Sequence, residues 1–197
     1  IVSVIAGLSR GTIRIRGQMD HTGTTPMSTR KDDLTAGAEI ILALEKTCKK
    51  YPGTVGTVGQ LGVLPNAANV VPGEVNIGLE FRSLEEQVLS AIQDEFEREV
   101  QIICTDRKVQ VDINIWSSSS TVQFPKNVID AISAVCDDLN YDFLSIPSGA
   151  AHDANHMAAL VPTGMIFVPS SGGRSHCPEE WTDFNDLVKG TNLLAHV

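Results

Sequence analysis

The sequence predicts an α/β protein in two blocks, a βαββαβ unit followed by a shorter α/β segment. Three observations carry that prediction. Apolar residues alternate strictly in Thr12-Ile13-Arg14-Ile15-Arg16 and again at Val109, Val111, Ile113 and Ile115, the period of half-buried strands. Between them lie two runs with apolar residues at three-to-four spacing, the period of an amphipathic helix. Past Ser117-Ser118-Ser119-Ser120, short helical and strand-like runs alternate.

The first strand closes at Gly17, and a polar loop follows. Asp32 is an acceptable N-cap for a helix carrying Leu34, Ala38, Ile41, Leu42 and Leu44, which ends in Lys49-Lys50 before Pro52, with cations at its negative end. Residues 54–63 and 74–82 read as strands, joined through Leu64-Pro65-Asn66-Ala67-Ala68-Asn69-Val70-Val71-Pro72-Gly73, which is too rich in turn formers to be either. Leu89, Ile92, Phe96, Val100 and Ile103 mark a second helix over 84–104, and 109–115 is the fourth strand. This is the split-βαβ plan: a four-stranded antiparallel sheet with both helices on one face, leaving the other face or an edge open to a partner.

The four serines read as a linker. Beyond them, residues 126–139 predict a helix, 143–146 a short strand, 154–160 a helix and 183–195 a closing helix. Residues 163–168 form an apolar run of the kind buried on both faces of a parallel sheet. This block is too small a part of an α/β sheet to stand alone comfortably.

Composition bounds the partners. The chain has 197 residues, 42% of them hydrophobic, enough for a sizeable core. Its 15 basic and 24 acidic residues give a formal net charge of −9, which opposes a phosphate backbone or an anionic bilayer, so neither nucleic acid nor membrane is an expected partner. No apolar run reaches the roughly 18 residues of a membrane span, and no signal-peptide layout is visible, so a cytoplasmic address is expected. The chain opens at Ile1 in an apolar stretch without Met, which suits the interior of a longer protein. Cys48, Cys104, Cys136 and Cys177 form no CxxC pair and read as reduced, mostly buried thiols.

Residues with chemical potential lie in loops. His21, in Asp20-His21-Thr22-Gly23-Thr24-Thr25-Pro26-Met27, is either a structural or exposed histidine or one held near an acyl group to stabilise an oxyanion or shuttle a proton. Asn69 either makes an Asx turn or reaches a substrate. Arg82, at a strand end, is a solvated terminus or a bidentate carboxylate clamp. Ser148-Gly149-Ala150-Ala151-His152-Asp153 and the segment 169–180, with His176, both follow strand-like runs, where open α/β sheets place their sites. His176 is a plausible metal ligand without neighbours to complete a site. Ser148 lacks a G-x-S-x-G elbow and Cys177 a base-orienter pair, so nucleophilic acyl transfer fits poorly.

Taken in order, HTGTTPM with Arg30 and Asp32, PNAANVVPG with Arg82, SGAAHDA and MIFVPSSGGRSHCPEE resemble the aminoacylase-like dimeric metallopeptidase superfamily. More narrowly they resemble its branch of N-carbamoyl-L-amino-acid hydrolases, allantoate amidohydrolases and β-ureidopropionases, over essentially the whole chain. The resemblance implies a ferredoxin-like βαββαβ lid and dimerisation domain at 8–122, between the end of a catalytic-domain segment at 1–7 and the C-terminal part of a zinc-peptidase-like α/β catalytic domain at 123–197. It implies that His21 stabilises the tetrahedral intermediate, that Arg82 holds a substrate carboxylate, and that these two and Asn69 reach the partner subunit's active site. Ala151 and His152 would form a substrate-contacting turn, and His176 would be one ligand of a centre with two divalent ions, zinc, manganese, nickel or cobalt.

The implied reaction is hydrolysis of the carbamoyl (ureido) C–N bond of an N-carbamoyl-L-amino acid or allantoate, releasing ammonia and carbon dioxide, by a homodimer joined through the lid. The family's His-x-Asp motif, bridging Asp, Glu-Glu pair and later His are absent here, so the chain alone is expected to bind no metal tightly and to be inactive. Ala151 replaces the usual second Gly of SGAGHDA, and Leu8 stands where allantoate enzymes carry Gln, which tilts the expectation toward N-carbamoyl amino acids. The rival readings are a non-catalytic dimerisation or substrate-binding module, and a peptidase or aminoacylase of the same superfamily.

Overall fold

The computed structural model describes residues 1–197, which fall into two compact units, Gly7–Thr121 and Ile1–Ala6 with Val122–Val197. In chain order the strands are β1 (Val2–Ile5), β2 (Gly7–Arg16), β3 (Asp20–His21), β4 (Thr54–Leu64), β5 (Val70–Val71), β6 (Glu74–Ser83), β7 (Gln110–Ser119), β8 (Val122–Gln123) and β9 (Ile146–Ser148). The helices are α1 (Asp33–Lys49), α2 (Glu86–Arg107), α3 (Lys126–Asp138), α4 (Ala154–Ala158) and α5 (Phe184–His196).

The Gly7–Thr121 unit is the βαββαβ plan. Its sheet runs β4-β6-β2-β7, antiparallel throughout. Asp32 caps α1 by accepting the Thr35 N–H at 3.0 Å, and Lys46 and Lys49 occupy the last turn. Helix α2 ends in Lys108, whose φ of 58° is the left-handed C-cap conformation. Alternation in β2 and β6 sends Ile13, Ile15, Val75, Ile77, Leu79 and Phe81 to one face, where they pack on Ile40 and Leu44 of α1 and on Ile92, Phe96 and Val100 of α2. Phe81 and Phe96 meet edge to face with ring centroids 5.3 Å apart. Each such side chain contributes about 1.5–3 kcal/mol by leaving water. Glycine is required at position 56, where a Cβ would collide with the Cys48 sulfur across the α1–β4 contact.

The opposite sheet face is polar and carries a charge ladder: Arg10 pairs with Glu80, Arg14 with Glu74, and Arg16 with Asp112 at 2.9 Å. The serine run belongs to this sheet. Ser117, Ser118 and Ser119 are the end of β7, paired with Arg10, Ser9 and Leu8, and are no linker. The reason is that β2 begins at Gly7, well before its alternation becomes legible. β7 follows it by a bulge at Trp116, since Arg10 faces Ser117 and Gly11 faces Ile115.

In the other unit β1 lies between β8, antiparallel, and β9, parallel. Ile1, Ile132, Cys136 and Leu193 form one buried cluster, and Val2, Ile5 and Phe124 another. Two expectations are corrected here. The strand expected at 143–146 lies at Ile146–Ser148. Residues 163–168 form no ladder; they meet β1 through the Val2 N–H, which donates to the Met165 carbonyl at 2.9 Å beside the short β8 pairing at Val4 and Ile5. No helix is long and apolar enough to cross a membrane.

Candidate functional site

In the Gly7–Thr121 unit, β3 and β5 form a two-stranded sheet that pairs His21 with Val70 and Asp20 with Val71. The Thr22 N–H donates to the Asn69 carbonyl at 3.2 Å. The loops of His21 and Asn69, some fifty residues apart in sequence, are thereby held side by side. Arg30 fixes the first loop from beneath: its Nη2 donates to the Thr22 carbonyl at 2.5 Å and its Nε to the Thr25 carbonyl at 3.1 Å. The Gly23 N–H donates to His21 Nδ1 at 3.0 Å, so the neutral ring carries its proton on Nε2. His21 is exposed, and it offers a donor, as an oxyanion requires.

Arg82 sits elsewhere. The His21 and Asn69 loops are anchored at the Glu74 end of β6, where the Gly17 N–H donates to the Gly73 carbonyl. Arg82 lies at the other end of the strand, roughly 26 Å along at about 3.3 Å per residue. It is flanked across the sheet by Leu8 of β2 and Val55 of β4. Its Nε donates to Glu80 Oε1 at 2.5 Å, and Arg10 Nε reaches the other oxygen of Glu80 at 2.7 Å. Burial alone would raise the Glu80 pKa, but the hydrogen bonds from Arg82 and Arg10 outweigh it and hold the carboxyl below the usual range. Glu80, which holds the candidate residue Arg82, is not singled out by the motifs. The signal was available, because residues two apart on a strand share a face.

A second constellation lies wholly within the other unit. Ser148, at the end of β9 and only 2% exposed, contacts His152 Nε2 through its Oγ at 2.8 Å. The His152 backbone is pinned by Asn155, whose Oδ1 accepts the His152 N–H at 2.8 Å and whose own N–H donates to the His152 carbonyl at 2.9 Å. The Phe167 ring lies 5.5 Å from the imidazole, centroid to centroid. Ala151 is exposed on the same turn. His176 is exposed on the 170–180 loop with a left-handed φ of 57°, and its N–H donates to Glu180 Oε2 at 2.7 Å. That loop is closed by the Ser171 N–H donating to the Trp181 carbonyl at 2.7 Å. No three His, Cys, Asp or Glu side chains of the chain converge as metal ligands, so its own residues do not fit a two-metal centre.

Comparison with known proteins places this geometry in context. The model of peptidase family M20/M25/M40 matches residues 7–197. The chain is 38% identical to an N-carbamoyl-L-amino-acid amidohydrolase of Paenarthrobacter aurescens, over 100% of its own length and 48% of the relative's. It is 34% identical to the allantoate amidohydrolase of Escherichia coli K12, over 99% of this chain and 48% of that one. Among solved structures, an amidase of the hydantoinase/carbamoylase family from Burkholderia multivorans superposes with a TM-score of 0.90 at 30% identity, covering 99% of this chain and 48% of that one. The chain thus spans about half the length of the curated relatives it matches.

Proposed function

The chain belongs to peptidase family M20/M25/M40, in its hydantoinase/carbamoylase branch, and from that premise we propose that it works within a longer, metal-dependent amidohydrolase cleaving the carbamoyl C–N bond. Its substrates are N-carbamoyl-L-amino acids, with allantoate as the related ureido acid, and the products are the amino acid, ammonia and carbon dioxide. The observation that carries the reading is the His21 ring, held by Gly23 as an Nε2–H donor beside the Asn69 loop. A tetrahedral intermediate at the ureido carbon places negative charge on oxygen, and a fixed neutral donor stabilises that charge without reorganising. Asn69 contacts the same substrate from the adjoining loop.

Arg82 binds the substrate carboxylate through a charge-assisted contact, with Glu80 holding its Nε so that the guanidinium plane is set. Leu8 and Val55 beside it favour an apolar side chain over a polar ureido arm, which supports N-carbamoyl amino acids over allantoate. Ala151 and His152 line a substrate-contacting turn. His176 supplies one ligand to one of two divalent ions, zinc, manganese, nickel or cobalt, and the remaining ligands and the general base come from the rest of the longer protein. Bound metal would polarise the ureido carbonyl and lower the pKa of water.

The separation between the His21 anchor and Arg82 along β6 exceeds the span of a small substrate. Both therefore serve one substrate only when supplied by different copies, in place of the expectation that all three lid residues reach the partner's site, and this supports a homodimer joined through the lid domain at 8–122, with 123–197 completing the catalytic sheet. The test is product release by the natural reading frame that carries this chain, loaded in turn with each metal and followed both as ammonia and as free amino acid. The panel is N-carbamoyl-L-amino acids, allantoate, N-acetyl amino acids and dipeptides. Turnover of the carbamoyl compounds at least about tenfold above the others supports the reading. Preferred turnover of dipeptides or N-acetyl amino acids refutes it in favour of a peptidase or aminoacylase, and binding without turnover in favour of a non-catalytic module.

A further inference from the structure

The hydrogen bonds around Ser148 fix more than its own position. Its Oγ lies 3.0 Å from the Ala150 carbonyl, 3.2 Å from the Ala150 N–H and 2.8 Å from His152 Nε2. A hydroxyl has one proton and two lone pairs. The carbonyl can only accept, so the hydroxyl proton goes to Ala150 O. The amide can only donate, so it takes one lone pair, and the remaining lone pair faces His152 Nε2. That nitrogen must therefore be the donor.

The alternative, Ser148 donating to an unprotonated Nε2, would press its oxygen against the Ala150 carbonyl with no proton between two acceptors, within a residue that is 2% exposed. Such a buried mismatch costs about 1–3 kcal/mol. A flip of the ring would put Cε1 against the Ser148 oxygen in place of Nε2 and forfeit the hydrogen bond. The His152 backbone is tied in both directions to Asn155, and the Phe167 ring lies 5.5 Å from the imidazole.

We propose that Ser148 is a positioning residue that holds His152 as the Nε2–H tautomer, so that Nδ1 is presented as a hydrogen-bond acceptor and this turn takes an N–H group of the substrate, an amide or ureido nitrogen, and not a carboxylate. The substrate part of this inference rests on the amidohydrolase reading; the tautomer part does not.

The test separates the two parts. In the 197-residue chain labelled with ¹⁵N, long-range nitrogen–proton correlation above neutral pH reports which ring nitrogen of each histidine is protonated, and His152→Gln identifies the signals. The expected wild-type result is a proton on Nε2 of His152. Ser148→Ala should yield a tautomer mixture, and Ser148→Thr, which keeps the hydroxyl, should restore the single form. A proton on Nδ1, or averaging between the two in the wild type, overturns the proposal even if the alanine variant fails to fold.

In the longer enzyme, the ratio of kcat/KM for a ureido substrate to that for its N,N-dimethyl analogue should fall about tenfold in Ser148→Ala and recover in Ser148→Thr. An unchanged ratio overturns the N–H assignment. An Nε2–H result together with no ureido turnover at all would sink the amidohydrolase reading and the substrate class, and leave the positioning role standing.

Discussion

Replacing Arg82 by Lys keeps a positive charge at the end of β6 but removes the planar fork, so it isolates what geometry contributes. The structural cost is small. Arg82 and Glu80 side chains are 25% and 22% exposed, and Glu80 retains Arg10 in the variant, so the lost pair costs about 0.5–1 kcal/mol of stability. The catalytic cost is larger if the guanidinium grips a carboxylate. Losing a charge-assisted pair in a partly dry site removes about 2–4 kcal/mol of transition-state binding, roughly 30- to 1000-fold in kcat/KM. The assay is kcat/KM in the longer enzyme for wild type, Arg82→Lys and Arg82→Ala, on an N-carbamoyl amino acid and on its neutral amide. Metal content and thermal midpoint are measured alongside. The clamp predicts a large loss on the carboxylate, a loss of less than about fivefold on the amide, and unchanged metal. Equal losses on both substrates refute it, because a solvated strand end does not distinguish them.

Further outcomes follow from the same geometry. Asp33, at the start of α1, is fully buried, and although the N–H groups of Gly17, Asp33 and Leu34 face it, neither carboxylate oxygen is hydrogen-bonded. Burial raises its pKa, so the folded state holds the proton more tightly than the unfolded chain. Its destabilising effect is absent below the unfolded pKa and complete once pH has risen past the folded one. Asp33→Ala should therefore stabilise the chain by about 1–2 kcal/mol at neutral pH, with the gain shrinking on acidification, as read by urea melts across pH. Burial pushes the Cys104 thiol up to about 11 and raises those of Cys48 and Cys136, whereas Cys177 is only half-buried, so a thiol reagent should label Cys177 in the native chain and the other three only on unfolding. Sedimentation at tens of micromolar should give a dimer that persists when residues 123–197 are varied; a clean monomer contradicts assembly through the lid. Calorimetric titration of the isolated chain with zinc or manganese should show no tight stoichiometric site, and one such site lost in His176→Ala would overturn that expectation.

The βαββαβ half was legible because its strands are covered on one face only. Period-two alternation in Ile13, Ile15 and in Val75, Ile77, Leu79, Phe81 is the direct trace of that asymmetry. What escaped was the part of each strand whose exposed and buried residues are both small or polar. Leu8 to Arg10 and Ser117 to Ser119 pair with each other through the backbone ladder, and no side-chain pattern announces it. The segment 163–168 misled in the opposite way: it reads as a strand buried on both faces, whereas it is half-buried with Phe167 exposed and meets β1 through the Val2–Met165 hydrogen bond without a ladder. Among the candidate site residues, His21, Asn69, Arg82, His152 and His176 stood out by chemical type in loops or at strand ends. Their grouping did not. Only the β3–β5 pairing brings His21 to Asn69, and only the length of β6 separates both loops from Arg82. Glu80 and Ser148 act through neighbours, and such residues are recognisable once distances are known.

The most direct measurement follows the bond itself. The longer enzyme carrying this chain, loaded with a divalent metal, is given an N-carbamoyl-L-amino acid labelled with ¹³C at the ureido carbon and ¹⁵N at its terminal nitrogen, and the products are followed by NMR. The account predicts labelled bicarbonate and labelled ammonium appearing in equal amounts with the unlabelled free amino acid, and loss of all three in His21→Ala. A labelled carbamoyl group that stays on its amino acid while dipeptides are cleaved would contradict it.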